Sequence, residues 1–227
     1  MGRYILRKQA RSVEVQPNGL PEGLVTVLDP SSPASESYRT LRTSLLYAVV
    51  GTPLKVIVVT SPGPAEGKSI TCANLGVVLA QADKNVLLLD CNLRGPTLHK
   101  IFNLPNTMGI VNLVGEDCGL QEVWQEPLPG LKVVTVGTLP PDPAELLSSR
   151  RFAQVIDQVK QEFDYILIDS PPAGQVSDPT IVATLADGVL VVINSQKTRK
   201  GALQRAVRSL EAVGANVLGT VLNRRAL

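Results

Sequence analysis

Apolar runs rich in β-branched residues and leucine recur along the chain: VIVV (56–59), VLLL (86–89), VVTV (133–136), ILI (166–168), VLVVI (189–193) and VLGTVL (217–222). Each has the length of a strand. Between most of them lie helix-length segments, at 69–83, 144–162, 178–186 and 199–213. Strands that are apolar on both faces and separated by helices make a parallel sheet covered on both sides. The expected fold class is therefore α/β, a mostly parallel sheet with helices on both faces. Ahead of the first strand, SSPASESYRTLRTSLLYAVV (31–50) reads as a further helix. Ser32 can cap it, with Pro33 at the first helical position. Tyr38, Leu41, Leu45 and Ala48/Val49 recur at helical spacing and give it one apolar face. Residues 1–30 read as a flexible leader, because Pro17, Gly19, Pro21, Gly23 and Pro30 break any periodic pattern. Residues 31–227 are expected to form a single domain. No internal repeat and no shift in composition marks a second one.

The length of 227 residues suits one large α/β domain. With 44% hydrophobic and 19% charged residues the chain can build a core and is not of the disordered class. A net charge of +2 and only 4% aromatics argue against a nucleic-acid surface or a base-stacking platform. Cys72, Cys91 and Cys118 form no CxxC pair or Cys/His cluster, so no zinc site is expected. An odd number of cysteines without a secretory signal suggests reduced thiols and a cytoplasmic location. The runs are far shorter than the ~20 apolar residues of a membrane helix, so no transmembrane segment is expected. Arg3, Arg7, Lys8 and Arg11 make the leader basic. Such a cluster can touch acidic headgroups, although a solvated tail is the plainer reading.

The chemistry gathers at three strand ends. VIVVTSPGPAEGKSITCANLGVVLA (56–80) follows strand, loop, helix order. A loop of this kind points backbone N–H groups at an anion, and the helix N-terminus adds its positive dipole end. Gly63, Pro64, Ala65, Glu66, Gly67, Lys68, Ser69 and Ile70 are thus candidates for holding a nucleotide. Lys68 would reach the β/γ-phosphates and Ser69 would place its hydroxyl on Mg²⁺. Strict Walker A spacing wants glycine at 62, where this chain has Pro62, with Gly63 next. Two more strands end in acids, VLLLD at Asp90 and YILID at Asp169. In a parallel sheet these ends share one edge with the phosphate loop. Asp90 and Asp169 are candidates for holding Mg²⁺, the alternative for each being a cap on the following helix or turn.

These segments, taken together and in order, resemble the bacterial tyrosine kinases of capsule and exopolysaccharide synthesis, which belong with the MinD/ParA group to the deviant-Walker P-loop ATPases. ESYRTLRTSL resembles that family's ExxRxxR segment, with Glu36, Arg39 and Arg42 in the matching places. SPGPAEGKS resembles its Walker A, LLLDCNLRGPTLHKIFNL its Walker A′, and YILIDSPPAGQVSD its Walker B. The resemblance implies a three-layer P-loop NTPase fold, ATP/ADP and Mg²⁺ as cofactors, and transfer of the γ-phosphoryl group to tyrosine. It implies Lys68, Asp90 and Arg94 as catalytic residues, with Asp90 orienting or deprotonating the tyrosine hydroxyl. It implies Ser69, Asp90 and Asp169 around the metal, and Asn223 against the adenine edge. Glu36, Arg39 and Arg42 would mediate self-assembly into a homo-oligomer. A membrane polysaccharide co-polymerase would be the activating partner and would recruit the chain peripherally to the inner face of the membrane.

Two features depart from that family. Its Walker A′ usually has the pattern D-x-D-x-R, and Asn92 stands where the second acid falls. An amide keeps an acceptor oxygen but loses the charge that holds metal-bound waters. Weaker metal binding or slower transfer is the expectation. The family usually ends in a tyrosine cluster, whereas the tyrosines here are Tyr4, Tyr38, Tyr47 and Tyr165. Tail autophosphorylation is not expected of this sequence, and Tyr4 is the expected accessible substitute. No lysine occurs from Ser61 to Gly67, which counts against a MinD/ParA-type positioning ATPase; a non-catalytic nucleotide-dependent scaffold is a third reading. His99 is expected to pack or face solvent, and Trp124 to fill core or interface.

Overall fold

The computed structural model describes residues 23–47, 54–115 and 118–224. A short helix α1 (Val25–Leu28) and a long one, α2 (Pro33–Tyr47), precede the first strand, β1 (Val56–Thr60). Then follow α3 (Lys68–Ala80), β2 (Val86–Asp90), α4 (Leu98–Ile101), α5 (Ile110–Gly115) and α6 (Leu120–Val123). The hairpin β3 (Trp124–Leu128) and β4 (Leu131–Val134) leads into α7 (Pro143–Ser148), α8 (Arg150–Glu162) and β5 (Tyr165–Asp169). The chain continues with α9 (Asp178–Ala183), β6 (Gly188–Asn194), α10 (Lys200–Glu211) and β7 (Val217–Asn223). One sheet of seven strands has the order β3-β4-β2-β5-β1-β6-β7, parallel throughout except for the antiparallel β3–β4 pair.

Neighbouring residues of each central strand point to opposite faces, and both faces are apolar. Val58, Leu87 and Ile168 pack with Phe152 and Leu210 of α8 and α10. Ile57, Leu88 and Leu167 pack with Leu75 of α3 and Leu45 of α2. Helix α3 lies so close to the sheet that a Cβ on Gly76 would come within 2.8 Å of Leu88 Cδ2. Its outer side is covered by α2, which explains why the segment reads as apolar all round.

Four local features differ from the periodic reading. The strand β3 (WQEPL) is polar and half-exposed, so it carries no apolar run. It is held by a two-residue turn with Gly130 at φ +77° and by Trp124, which lies edge-on to Phe163 and under Lys132 Nζ at 3.8 Å. The helix expected over 144–162 is two helices. Ser149 leaves the helical region and its hydroxyl accepts the Phe152 N–H at 3.1 Å, which caps a new helix. Short helices α4, α5 and α6 are too brief to show a period. Finally, the leader expected to run loose to residue 30 is packed from Gly23 onward: Leu24 and Thr26 are fully buried. At the start of α2, Ser32 Oγ accepts the Ser35 N–H, and Tyr38, Leu41 and Leu45 turn inward as expected. Ala48 and Val49 lie outside the described residues.

Asn74 joins the leader's end to α3. Its Oδ1 accepts from Thr26 N (3.1 Å) and Thr26 Oγ1 (2.8 Å), and its Nδ2 donates to the carbonyls of Gly23 (2.8 Å) and Ile70 (2.9 Å). Asn74→Ala leaves a buried N–H and two carbonyls short of partners, so a loss of about 2–4 kcal/mol in chemical denaturation is expected. Thr26→Val, which removes only the hydroxyl, is expected to cost less.

Candidate active site

The loop leaving β1 turns back at Gly67, whose φ of +96° precedes the first residue of α3. Only glycine fits there, since a Cβ would lie 1.9 Å from Asn223 Nδ2. Two distant elements hold the loop from outside. Asn223 Nδ2 donates to the Glu66 carbonyl (2.9 Å), and Lys197 Nζ to the Pro64 carbonyl (3.1 Å). Lys197 was not singled out from sequence, because nothing local in SQKTRK signals a partner 133 residues away. Asn223 stands against the loop's back with its amide committed to Glu66, and its Oδ1 accepts the Arg224 N–H.

Three strand ends converge as expected. Asp90 and Asp169 are register partners on adjacent parallel strands. Lys68 Nζ lies 3.6 Å from Asp169 Oδ1 and donates to Ser69 Oγ at 3.0 Å. Asp169 is fully buried, and neither carboxylate oxygen has a hydrogen-bond partner. Burial pushes its pKa up, opposed by Lys68 and Ser69. An orphaned buried carboxylate beside a serine hydroxyl fits the water shell of a hard cation. Among the described residues no cluster of three or more His, Cys, Asp or Glu could hold a metal alone. Mg²⁺ here would therefore be shared between Ser69, Asp169 and bound phosphates.

Asp90 is equally buried but fully engaged. Its Oδ1 accepts from Asn92 N (3.1 Å), and its Oδ2 from Thr97 N (3.1 Å) and Leu98 N (3.0 Å). Asp90 thus also carries the turn-capping role weighed against metal binding. Burial, then the Asp169 charge, push it up to about 7 in spite of those three donors. The folded state therefore binds a proton that the unfolded chain, with an ordinary carboxylate, gives up near pH 4. The contribution to stability is complete below that and is lost as pH rises through about 7. Nucleotide-free protein is expected to melt at a higher temperature at pH 5 than at pH 8, and Asp90→Asn to flatten that dependence.

The turn held by Asp90 carries the other predicted residues. Asn92 Nδ2 donates to the Gly95 carbonyl at 2.6 Å, closing the turn with a bond that an aspartate there could not donate. Arg94 forms a two-pronged pair with Asp178, Nε to Oδ2 at 2.9 Å and Nη2 to Oδ1 at 3.1 Å. Asp178 was missed as a site residue, although it ends the QVSD stretch of the third motif. A cavity of about 600 Å³ lies between residues 64–70 on one side and the 92–101 turn with Pro171, Pro172 and Gln175 on the other.

The ExxRxxR residues sit apart from this cavity. Arg39 pairs with Glu36 at 2.8 Å and reaches the Pro30 carbonyl, while Arg42 Nη1 donates to the Val78 carbonyl at 2.8 Å. Tyr4 lies outside the described residues. Tyr47, at the end of α2, is 79% exposed. His99 is half-buried with Nδ1 unpartnered, and burial followed by the Lys100 charge lowers its pKa.

Comparison with known proteins gives the family. The ParA family, described as NUBPL iron-transfer P-loop NTPase, matches residues 53–227. Tyrosine-protein kinase YwqD of Bacillus subtilis (strain 168) is 37% identical over 209 residues, covering 92% of this chain and 88% of the relative. The chain belongs to the bacterial tyrosine kinases, within the ParA-type P-loop NTPases. The kinase is also 33% identical to tyrosine-protein kinase CpsD of Streptococcus agalactiae over 83% of its own length and 82% of the relative's. The chimerical protein CapA2B2 superposes with the kinase at a TM-score of 0.87 and 36% identity, covering 90% of this chain and 91% of the other. The kinase domain of Escherichia coli tyrosine kinase ETK gives 0.84 and 30%, covering 90% and 82%. The septum site-determining protein MinD complexed with Mg-ADP from Pyrococcus horikoshii OT3, at 0.63 and 23%, covers 76% and 71% and shares the fold. Among the described residues no helix is long and apolar enough to cross a membrane.

Proposed function

We propose that this chain is an ATP–Mg²⁺-dependent tyrosine kinase of the autokinase type that regulates capsular or exopolysaccharide biosynthesis and export. The observation that carries the reading is the convergence of Lys68, Ser69 and the orphaned Asp169 carboxylate at one sheet edge. The phosphate-loop amides and the α3 N-terminus hold the β- and γ-phosphates. When bound, Mg²⁺ neutralises charge on those phosphates. Lys68 stabilises the charge that develops as the γ-phosphoryl moves. The tyrosine oxygen forms its bond to phosphorus as the bond to the β,γ-bridging oxygen breaks, and ADP leaves with that electron pair. Asp90 orients the hydroxyl or takes its proton. Arg94 faces the acceptor, and Asn223 steadies the loop beside the adenine edge.

A membrane polysaccharide co-polymerase at the inner face is the proposed activator, recruiting a cytoplasmic chain peripherally. Glu36, whose side chain is 67% exposed, and Arg39 and Arg42 would join copies into a homo-oligomer. A second reading, a nucleotide-dependent scaffold with little turnover, is favoured by Asn92 alone, which removes one charge from the metal's surroundings. Incubation with γ-labelled ATP and Mg²⁺ separates the readings. Label on tyrosine supports the kinase, free phosphate without labelled tyrosine a MinD/ParA-type positioning ATPase, and bound nucleotide with neither product the scaffold.

A further inference from the structure

The phosphate-binding wall of the cavity is complete in itself: loop amides, the α3 N-terminus and Lys68 serve the nucleotide. The facing wall is built differently. Arg94 and Lys100 are both exposed and both line the cavity. Position 92 is an amide and no acid lines that wall, while Asp178, which pairs with Arg94, lies behind it outside the lining. Asp178 is fully buried, yet its carboxylate bonds go to an arginine whose side chain is 44% exposed. A buried acid gripping Nε and Nη2 fixes the guanidinium plane and leaves its remaining donors to the cavity side. Such pre-organisation favours a planar anion arriving from solvent.

Building on the kinase reading, the structure assigns to Arg94 and Lys100 the recognition of carboxylates flanking the acceptor tyrosine, with Asp178 as the positioning residue that holds Arg94. The substrate class is an acidic tyrosine segment. The tyrosines of this sequence do not match it. Tyr4 lies among basic residues (GRYILRK) and Tyr47 among neutral ones (SLLYAVV). Tyr165 has Glu162 and Asp164 nearby, but it is half-buried where β5 begins beside β2. Tyr38 follows Glu36 but packs against the α3 side of the core.

The test uses the full chain, ATP and Mg²⁺, and three synthetic tyrosine peptides flanked by glutamate, by alanine and serine, or by lysine. The glutamate peptide is expected to exceed the lysine peptide in kcat/KM by about ten-fold or more, through KM. Lys100→Glu is expected to reduce that ratio at least about five-fold while the KM for ATP moves less than about two-fold. Asp178→Asn, checked for an unchanged melting temperature, is expected to raise the KM of the glutamate peptide and to narrow the ratio. A merely structural role would leave the ratio alone. Equal kcat/KM for the three peptides overturns the assignment. So does a shift confined to the KM for ATP in Lys100→Glu, which would give these cations to the nucleotide. If no peptide is labelled, the kinase reading fails. Fluorescence anisotropy of the same peptides on ADP–Mg²⁺-loaded protein then decides the wall's preference by itself, and equal affinities would end it.

Discussion

Lys68→Met is expected to lower phosphoryl transfer by about three orders of magnitude or more, measured with γ-labelled ATP. The methionine keeps an unbranched apolar stem, one atom shorter, but removes the cation 3.6 Å from Asp169. Two consequences follow from that single charge. Charge developing on the phosphates loses its fixed counter-charge. Asp169 loses the cation that opposes its upward shift, so it binds a proton more readily. Nucleotide affinity is expected to fall far less than the rate, because the loop amides and the α3 N-terminus remain. A variant that transfers phosphate at near wild-type rate would remove Lys68 from the chemistry altogether.

Asp169→Asn is expected to move two readouts in opposite directions. The carboxylate is fully buried with no hydrogen bond to either oxygen, and only Lys68, at 3.6 Å, offsets the cost of its charge in a chain without nucleotide. Replacing it with a neutral amide of the same shape relieves that cost and the repulsion from Asp90. Nucleotide-free protein is therefore expected to gain about 1–2 kcal/mol in chemical denaturation. The same change removes the charge suited to the metal's water shell, so transfer is expected to fall by about 10²–10³-fold. Functional strain stored at one residue predicts this crossing of signs. A variant that is both less stable and fully active would contradict it.

The parallel sheet, the phosphate loop and the two strand-end acids were legible because each rests on local pattern. Runs such as VLLL and VLVVI are buried on both faces, so their composition announces their place. Gly67-Lys68-Ser69 sits between a strand and a helix, and that order carries the reading even though Pro62 breaks the usual spacing. The edge strand β3 was silent for the opposite reason. Half-exposed WQEPL is held by its hairpin turn and by the Trp124 contacts with Phe163 and Lys132, not by a core-facing run. The break at Ser149 was also hidden, since residues 144–162 keep a helical period on both sides of a cap.

Local chemistry along the chain was enough to establish which residues meet at the sheet edge: Lys68, Asp90 and Asp169 are brought there by strand direction alone. What each of them does on arrival was decided by contacts across long separations. The Asp178 that holds Arg94 is 84 residues away, and the Asn223 and Lys197 that hold the loop are more distant still. Asp90 spends its oxygens on the turn that carries Asn92, while Asp169 has no hydrogen bond and only Lys68 at 3.6 Å. Periodicity reports burial and hydrogen bonding within an element. Partnership between side chains depends on how elements pack, and that emerges only when the chain has closed on itself.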